Sequence, residues 1–261
     1  MEAEALTART ALVTGASSDL GRAIALALAA DGATVLAVGR RRERLDEIAT
    51  HPAIRPLVLD LTDESAVLEA AAGWGPVDIL VANAAHGPEL APLLNGGMDT
   101  LRAVMETNFF AVARLVTLLL PGMVERKWGR VIHVSSLAAS IGEAHGPSYC
   151  ASKAAVDGLW RNLAIDYSPH GVTFNSLELG PVRTERLERH GAMKTRRLGL
   201  AAAVRRVGEP SDAAHAVRFL ASPLASYVTG ESLRVDGGLH LGNPLAAMYV
   251  REPSTAAETP S

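Results

Sequence analysis

The chain has 261 residues, enough for one domain with a large core, and its 48% hydrophobic and 20% charged residues exclude disorder for most of it. A net charge of −3 gives no electrostatic reason to expect nucleic acid or an anionic membrane surface as a partner. The single cysteine, Cys150, excludes an intramolecular disulfide and suits a reducing compartment. Because the sequence shows neither a secretory signal nor a long, purely apolar run, we expect a soluble cytoplasmic protein without a membrane span.

Short apolar runs alternate along the chain with longer segments of helical periodicity. Helices are expected between the first six strands, among them Leu20–Ala30 and Ala111–Val124. The strand runs are apolar on both faces, which indicates a central sheet covered by helices. Repeated β-α units predict an α/β fold of the Rossmann type, with a doubly wound, seven-stranded, mostly parallel sheet. The predicted strands are Thr10–Thr14, Thr34–Val38, Leu57–Leu61, Asp78–Ala82, Arg130–Ser135, Val172–Leu177 and Ser232–Val235.

No linker rich in proline, glycine or serine divides the chain, so residues 1–250 are predicted to form a single domain. The polar end, Arg251–Ser261, contains two prolines and is expected to be a frayed, disordered tail. The segment Phe109–Leu120 has too few polar positions for a helix with one solvated face. We therefore predict that this segment packs on the sheet and also buries part of a subunit interface.

A glycine-containing segment, Thr14–Gly21, joins the first predicted strand to the first predicted helix. Gly15 would allow a tight turn there, and Gly21 would let the helix approach the sheet closely. The amides of such a loop and the helix N-terminus can face a pyrophosphate. Its position in the first βαβ unit favours a dinucleotide site; an ordinary strand–helix turn is the alternative.

The second predicted strand ends at Gly39 and Arg40, where folds that prefer NAD usually have an acid that holds the ribose 2′-hydroxyl. A guanidinium at Arg40 can make a paired contact with a 2′-phosphate, and no carboxylate is expected to oppose it. Arg42 and Arg44 are interpreted as solvated charges at a helix start. The sequence therefore favours NADP(H), with NAD(H) as the less favoured cofactor.

Tyr149 and Lys153 are four residues apart in a predicted helix and so share one face, one turn apart. A free tyrosine has a pKa of about 10, and a neighbouring ammonium would stabilise the phenolate and lower that pKa. Such a pair suits proton transfer to or from an alcohol or ketone oxygen. The spacing alone is common, and a surface tyrosine is the alternative interpretation.

Further motifs follow in a fixed order, and together they resemble the short-chain dehydrogenase/reductase family, in particular its 3-oxoacyl-[acyl-carrier-protein] reductase-like ketoreductases. The resemblance runs from Thr10 to about Leu241. Ser136 lies thirteen residues before Tyr149, a spacing that family members share. The other matching segments are TGASSDLG (14–21), Asp60–Leu61, ANAA (82–85), METNFF around Asn108, NSLELGPVRT (175–184), RRVGEP (205–210) and VTGESLRVDGG (228–238).

The resemblance implies hydride transfer between a nicotinamide and a carbonyl carbon. Tyr149 would exchange the proton with the substrate oxygen, Lys153 would lower the tyrosine pKa and hold the nicotinamide ribose, and Ser136 would position the oxygen. Asn108 would kink its helix and hold a water in a proton relay. No metal is expected, because the histidines lack any clustered ligand spacing. The implied cofactor contacts are Gly15, Ser17, Ser18, Asp19, Leu20, Gly21, Arg40, Asp60, Leu61, Asn83, Ala84, Tyr149, Lys153, Gly180, Val182 and Thr184.

Three segments depart from the family pattern. Asp19 replaces the middle glycine of the loop, and we hypothesise that its carboxylate points away from the phosphates and serves as a cap. The segment ANAA keeps Asn83, which would brace the central strand, whereas Ala85 would narrow the loop. Leu179 replaces the usual proline, so the backbone path beside the nicotinamide is expected to differ.

The resemblance places the substrate pocket between three segments: His86–Asn95, Leu137–Ser148 and the basic Glu185–Ala203. The basic segment would receive an anionic tail or a carrier protein, or else form the solvated face of a lid helix. Three functions are compatible with this pocket: reduction of a β-keto thioester or other ketone with NADPH, oxidation of an alcohol, sugar or steroid, and NADP(H) binding without turnover. The intact catalytic set disfavours the third. A homotetramer or homodimer is expected from the resemblance.

Overall fold

The computed structural model describes residues 6–189 and 191–242. Seven strands form one sheet in the order β3-β2-β1-β4-β5-β6-β7, and every neighbouring pair is parallel. The chain therefore winds outward in both directions from β1 and β4, as the predicted doubly wound fold requires. The strands are β1 (Thr10–Thr14), β2 (Thr34–Gly39), β3 (Ile54–Val58), β4 (Ile79–Ala82), β5 (Gly129–Ser136), β6 (Val172–Leu179) and β7 (Ser232–Val235).

Helices cover both faces of the sheet because successive strand residues point to opposite sides. The helices are α1 (Asp19–Ala30), α2 (Arg42–Ile48), α3 (Glu64–Ala71), α4 (Leu93–Met105), α5 (Ala111–Glu125), α6 (Pro147–Tyr167), α7 (Glu185–Glu188), α8 (Ala192–Ala201) and α9 (Pro210–Ala221). In β1, Ala11 and Val13 pack with α1 and α9, whereas Leu12 packs with α5 and α6. This arrangement confirms the predicted α/β class.

The third strand begins three residues earlier than the sequence predicts. The apolar run predicts Leu57–Leu61, whereas β3 is Ile54–Val58 and pairs with β2 from Val35 to Gly39. The run misleads because Leu59 and Leu61 are buried in the core without belonging to the strand. Burial and backbone pairing are separate properties, and only the pairing defines a strand.

The longest apolar stretch, Leu93–Glu125, comprises α4, α5 and a π-helical turn between them (Glu106–Phe110), and it could cross a membrane by length and composition alone. Its inner face, including Val112 and Leu115, packs in the core between sheet and helices. Packing on the sheet, as predicted, accounts for the buried part of this stretch. The predicted tail, Arg251–Ser261, lies outside the described residues.

Candidate active site

The residues expected to hold a dinucleotide all follow the carboxyl ends of parallel strands, which lie at one edge of the sheet. The loops after β1 and β4 are locked together by hydrogen bonds. Asn83 Nδ2 donates to the Thr14 and Gly15 carbonyl oxygens at 2.9 and 3.2 Å, and the Ala84 amide donates to Thr14 Oγ1 at 2.9 Å. Asn83, expected from the ANAA motif to brace the central strand, is hydrogen-bonded to the end of β1 and to the glycine loop.

The glycine loop is too tightly packed for side chains at two of its positions. Gly15 has a φ of +64°, which L-residues rarely adopt, and its Cα faces Asn83 and Ala84. A Cβ at Gly21 would overlap the Gly15 carbonyl oxygen. The glycines thus allow α1 to begin directly against the strand end, the close approach that the sequence predicts.

The start of α1 presents free donors at the position expected for the pyrophosphate. Ser18 is the N-cap, and its Oγ accepts the Gly21 amide at 3.1 Å. Within the described ranges, no protein acceptor takes the amides of Asp19 and Leu20. Unpaired first-turn N–H groups and the positive end of the helix dipole both favour an anion. The loop therefore fits a phosphate group.

The Asp19 carboxylate caps a helix, but not its own. Its Oδ2 accepts the backbone N–H of Glu185 at 2.7 Å, at the first residue of α7. The Glu185 carboxylate in turn lies 3.4 Å from Arg44 and 3.7 Å from Arg41. Arg44, interpreted from sequence as a merely solvated charge, thus joins α7 to the cofactor loops. Asp19 and Glu185 tie the segment after β6 to the two phosphate-side loops.

Arg40 does face a carboxylate, contrary to the expectation from sequence. Its guanidinium lies 3.7 Å from Asp60 Oδ2, an acid that the resemblance places beside the adenine. Hydrogen bonds from the Thr62 amide and hydroxyl, with a smaller contribution from Arg40, lower the pKa of Asp60. Because Arg40 is 79% exposed, the pair contributes about 0–1 kcal/mol, so a phosphate could replace Asp60 as its partner. Leu61 is buried in the core instead.

After β6 the chain continues along the same edge of the sheet, where the parallel strands have their carboxyl ends. Gly180 follows Leu179, and a Cβ on Gly180 would lie 2.8 Å from the Asp236 Cα. The strand β6 ends at Leu179, two residues later than predicted. The leucine that replaces the family's usual proline is therefore part of the strand. Val182 forms a parallel bridge with Gly208, and Thr184 is the N-cap of α7.

Tyr149 lies in the first turn of α6 with two cations near its ring. The Lys153 Nζ is 5.8 Å from the centre of its ring and the Arg186 guanidinium carbon is 5.7 Å away. Burial nevertheless raises the pKa of Tyr149; Arg186 and a hydrogen bond with Ser136 oppose this shift, and Glu143 adds to it. The sequence predicts a lowered pKa for this tyrosine, whereas the pKa lies above its ordinary value, because desolvation outweighs the lowering effect of Arg186.

Lys153 is buried and turned toward the sheet. Its Nζ donates to the Val134 carbonyl oxygen at 2.7 Å and lies 3.3 Å from Nε2 of His133. Burial lowers the pKa of Lys153 to about 8, against the raising effect of Asp157. The sequence singled out neither His133 nor Asp157. Asp157 could have been found, because it follows Lys153 by one helical turn.

Asn108 lies in the π-helical turn between α4 and α5, where the resemblance places a kink. Its Oδ1 accepts the His86 amide at 2.6 Å, and its Nδ2 donates to the His86 carbonyl oxygen and to Ser152 Oγ at 3.0 and 2.9 Å. The buried amide thus ties the loop after β4 to α6. This leaves the expected role in a water relay as a prediction.

The three segments predicted to form a substrate pocket do line one cleft. The lining residues are Pro88–Ala91, Glu143, His145–Tyr149 and Arg186, together with residues of α4. The Arg186 guanidinium lies so close to Gly87 that a Cβ at that glycine would overlap it. Arg186, grouped from sequence with a basic lid, therefore reaches the cleft beside Tyr149.

The chain is similar to known proteins along nearly its whole length. A family model described as "Enoyl-(Acyl carrier protein) reductase" matches residues 15–240. The 3-oxoacyl-[acyl-carrier-protein] reductase FabG of Vibrio cholerae is 35% identical over 90% of this chain and 99% of its own. The cis-4-hydroxycyclohexanecarboxylate dehydrogenase of Sinomonas cyclohexanicum is 35% identical over 90% and 98%. The structure of a putative NAD(P)-dependent gluconate 5-dehydrogenase from Beutenbergia cavernae, with bound NADP at low occupancy, has a TM-score of 0.86 at 35% identity and covers 92% and 100%.

Proposed function

The chain belongs to the short-chain dehydrogenase/reductase family, and from this premise we propose that it reduces a ketone to a secondary alcohol with NADPH. One observation carries the proposal: Tyr149, with Lys153 Nζ 5.8 Å from the centre of its ring, lies at the same sheet edge as a loop with free amides suited to phosphate. An enzyme of this kind needs a proton donor and a dinucleotide at one place. The family relatives are dehydrogenases and reductases, which supports an oxidoreductase role.

The residues present fit NADP(H). The amides of Asp19 and Leu20 would hold the pyrophosphate, Arg40 would pair with the 2′-phosphate, and Lys153 would hold the nicotinamide ribose. Val182 and Thr184, at the end of the 175–184 motif, would flank the nicotinamide. When bound, the cofactor supplies or accepts the hydride. The NADP bound in the similar gluconate dehydrogenase structure supports the choice, with NAD(H) as the less favoured cofactor.

The protein groups would manage the proton and the oxygen. Because burial raises the pKa of Tyr149, its hydroxyl is protonated at neutral pH and can act as the acid in reduction. Ser136 would hold the substrate oxygen beside the phenol. The positive charges of Lys153 and Arg186 would stabilise the phenolate that remains after the proton leaves. Asn108 would keep the loop after β4 fixed to α6.

Oxidation of an alcohol is the second candidate, and the names of relatives favour it. One curated relative is a dehydrogenase of a cyclic hydroxycarboxylate, and one similar structure is that of a putative gluconate 5-dehydrogenase. The same residues serve both directions, since Tyr149 would then accept the alcohol proton. NADP(H) binding without turnover is the third candidate, disfavoured because all four catalytic residues are retained.

We also propose that the protein works as a homodimer or homotetramer in the cytoplasm, on a small carbonyl or alcohol substrate, a class that includes thioesters. Phe110, the last residue of the π-helical turn before α5, is 49% exposed, and Ile165 on α6 is 75% exposed. Large apolar side chains exposed on neighbouring helices favour a contact with a second copy. The single cysteine, which can form no intramolecular disulfide, supports a reducing compartment.

The deciding experiment follows NADPH and NADH consumption against β-keto thioesters, diketones, cyclic ketones, quinones and an enoyl thioester, and NADP⁺ reduction with the matching alcohols. Tyr149→Phe should lower kcat by about a hundredfold or more, because it removes the phenol hydroxyl that would donate the proton and changes nothing else in the side chain. Tyr167→Phe, on the same helix, is the matched control and should retain activity. Arg40→Ala should reduce the preference for NADPH over NADH about tenfold.

Three results would contradict the proposal. Equal activity of Tyr149→Phe and Tyr167→Phe would remove the tyrosine from the chemistry. Binding of NADPH without turnover of any carbonyl or alcohol would favour the binding-only function. Turnover of the enoyl thioester alone would assign the chain to carbon–carbon double-bond reduction.

A further inference from the structure

A cluster of buried polar side chains lies beneath Lys153, between the sheet and α6. Each member is at most 5% exposed. The fold brings a carboxylate, an imidazole and an ammonium into one buried place, which costs free energy unless each is paired. The members are His133 and Ser135 on β5, Ser176 on β6, and Lys153 and Asp157 on α6.

The hydrogen bonds in this cluster fix the orientation of His133. Asp157 Oδ1 lies 2.9 Å from His133 Nδ1 and accepts from Ser176 Oγ at 2.6 Å, while Oδ2 accepts from Ser135 Oγ at 2.8 Å. An ionised carboxylate only accepts hydrogen bonds, so the proton of the imidazole is on Nδ1. Nε2 is then an acceptor, and it lies 3.3 Å from Lys153 Nζ.

The same bonds orient the ammonium of Lys153. An ammonium has three N–H donors. One is taken by the Val134 carbonyl oxygen at 2.7 Å and a second by His133 Nε2. Among the described residues no acceptor takes the third, and Nζ lies 5.8 Å from the centre of the Tyr149 ring.

The charges in the cluster are balanced. Burial lowers the pKa of His133 to about 4, and the charge of Lys153 adds to this, so the imidazole is neutral. Burial raises the pKa of Asp157, but the hydrogen bonds that it accepts leave its pKa below the ordinary value. One positive and one negative charge remain. The other charged or titratable groups that face Lys153 are Tyr149 on its own helix and Arg186 from α7.

We propose that His133 and Asp157 are positioning residues that hold Lys153 and direct one N–H of its ammonium to the catalytic site. This inference rests on the proposed function, in which Lys153 serves turnover. Asp157 selects the tautomer of His133, and His133 with the Val134 carbonyl oxygen fixes the ammonium. The carboxylate also offsets the buried positive charge. Neither residue would touch substrate or cofactor.

A purely structural role makes a different prediction. Buried ionic clusters are often no more stabilising than apolar side chains of similar volume. If the cluster only filled space, removing the Asp157 charge would lower stability, and any loss of kcat relative to wild type would not depend on pH. If it positions Lys153, the lysine must lose its proton at a lower pH when the opposing charge is gone.

The first test is Asp157→Asn, which keeps the shape and removes the charge. We expect its kcat relative to wild type to fall about tenfold near pH 8 and to recover near pH 6, where Lys153 regains its proton. Asp166→Asn, exposed on the same helix, is the matched control and should give a ratio that does not depend on pH. A pH-independent loss for Asp157→Asn would mean a structural role and overturn the proposal.

The second test separates the contributions of the two imidazole nitrogens of His133. His133→Gln places an amide oxygen near the Nε2 position, whereas His133→Asn places an amide nitrogen near Nδ1. We expect His133→Asn to lose about tenfold in kcat with little change in KM, and His133→Gln to stay within about threefold of wild type. Equal losses would mean that His133 only fills space. If Asp157→Asn does not fold, the two His133 variants still test whether His133 positions Lys153.

The third test does not need turnover. The chain has three lysines, so NMR of labelled lysine side chains gives few signals, and Lys127→Arg and Lys194→Arg assign them. The pKa of Lys153 should fall by about one unit in Asp157→Asn and stay unchanged in Asp166→Asn. An unchanged pKa in Asp157→Asn overturns the inference even in an active enzyme. Absence of turnover in wild type refutes the proposed function, and the NMR result still decides whether Asp157 supports Lys153.

Discussion

Replacing Lys153 by methionine should make the protein more stable while abolishing turnover. Lys153 is 2% exposed, and burial lowers its pKa from 10.5 to about 8. At 1.36 kcal/mol for each unit, holding the charge at neutral pH costs about 3 kcal/mol. The lost hydrogen bonds to Val134 and His133 offset about 1–2 kcal/mol of the gain. The net gain of about 1–2 kcal/mol corresponds to a rise in Tm of about 3 °C for a chain of this size.

The stability gained by Lys153→Met must decrease as the pH rises. Because the folded pKa of Lys153 lies below the unfolded value, the unfolded chain binds more protons between about pH 8 and about pH 10.5. Wild-type stability therefore rises through that window relative to Lys153→Met. The advantage of the variant is complete below about pH 8 and is lost by about pH 10.5.

The assay is thermal unfolding of wild type and Lys153→Met without nucleotide, across that pH range. Lys194→Met is the matched control, since Lys194 is exposed on α8, and its Tm difference from wild type should be small at every pH. A Lys153→Met protein that is less stable than wild type at neutral pH, by an amount independent of pH, would refute the reasoning. It would mean that the ammonium contributes more through its hydrogen bonds than its burial costs.

Three other predictions concern the cofactor loop and the surface. Gly21→Ala should weaken NADPH binding, followed by fluorescence, by more than about tenfold, because the new Cβ overlaps the Gly15 carbonyl oxygen; unchanged affinity would contradict the tight packing of the loop. Asp19→Asn keeps an acceptor for the α7 amide and should change the NADPH Kd by less than about threefold, whereas a tenfold tightening would show that the carboxylate repels the phosphates. Phe110→Glu should lower the molar mass found by light scattering, since a charge at an apolar contact between copies disfavours association; a wild-type monomer at micromolar concentration would count against that contact.

Much of the fold could be predicted because its signals are local. The bounds of β1 and β7 are as the apolar runs indicate, and the parallel sheet follows from strands that are apolar on both faces. The error at β3 has a physical origin: Leu59 and Leu61 are buried by tertiary packing after the strand has ended. The partner of Asp19 could not be predicted from local signals either, because the amide of Glu185 is 166 residues away along the chain.

The electrostatics of Tyr149 and Lys153, the proposed catalytic pair, could not be predicted from spacing alone. The four-residue separation of Tyr149 and Lys153 places both side chains on one helix face, which the structure shows, but it does not say where the ammonium points. That direction depends on His133, twenty residues earlier on a strand, and on the carbonyl next to it. Burial, also non-local, reverses the expected shift in the pKa of Tyr149. A motif therefore identifies which groups can exchange a proton, whereas the residues packed behind them decide which group holds that proton before the reaction begins.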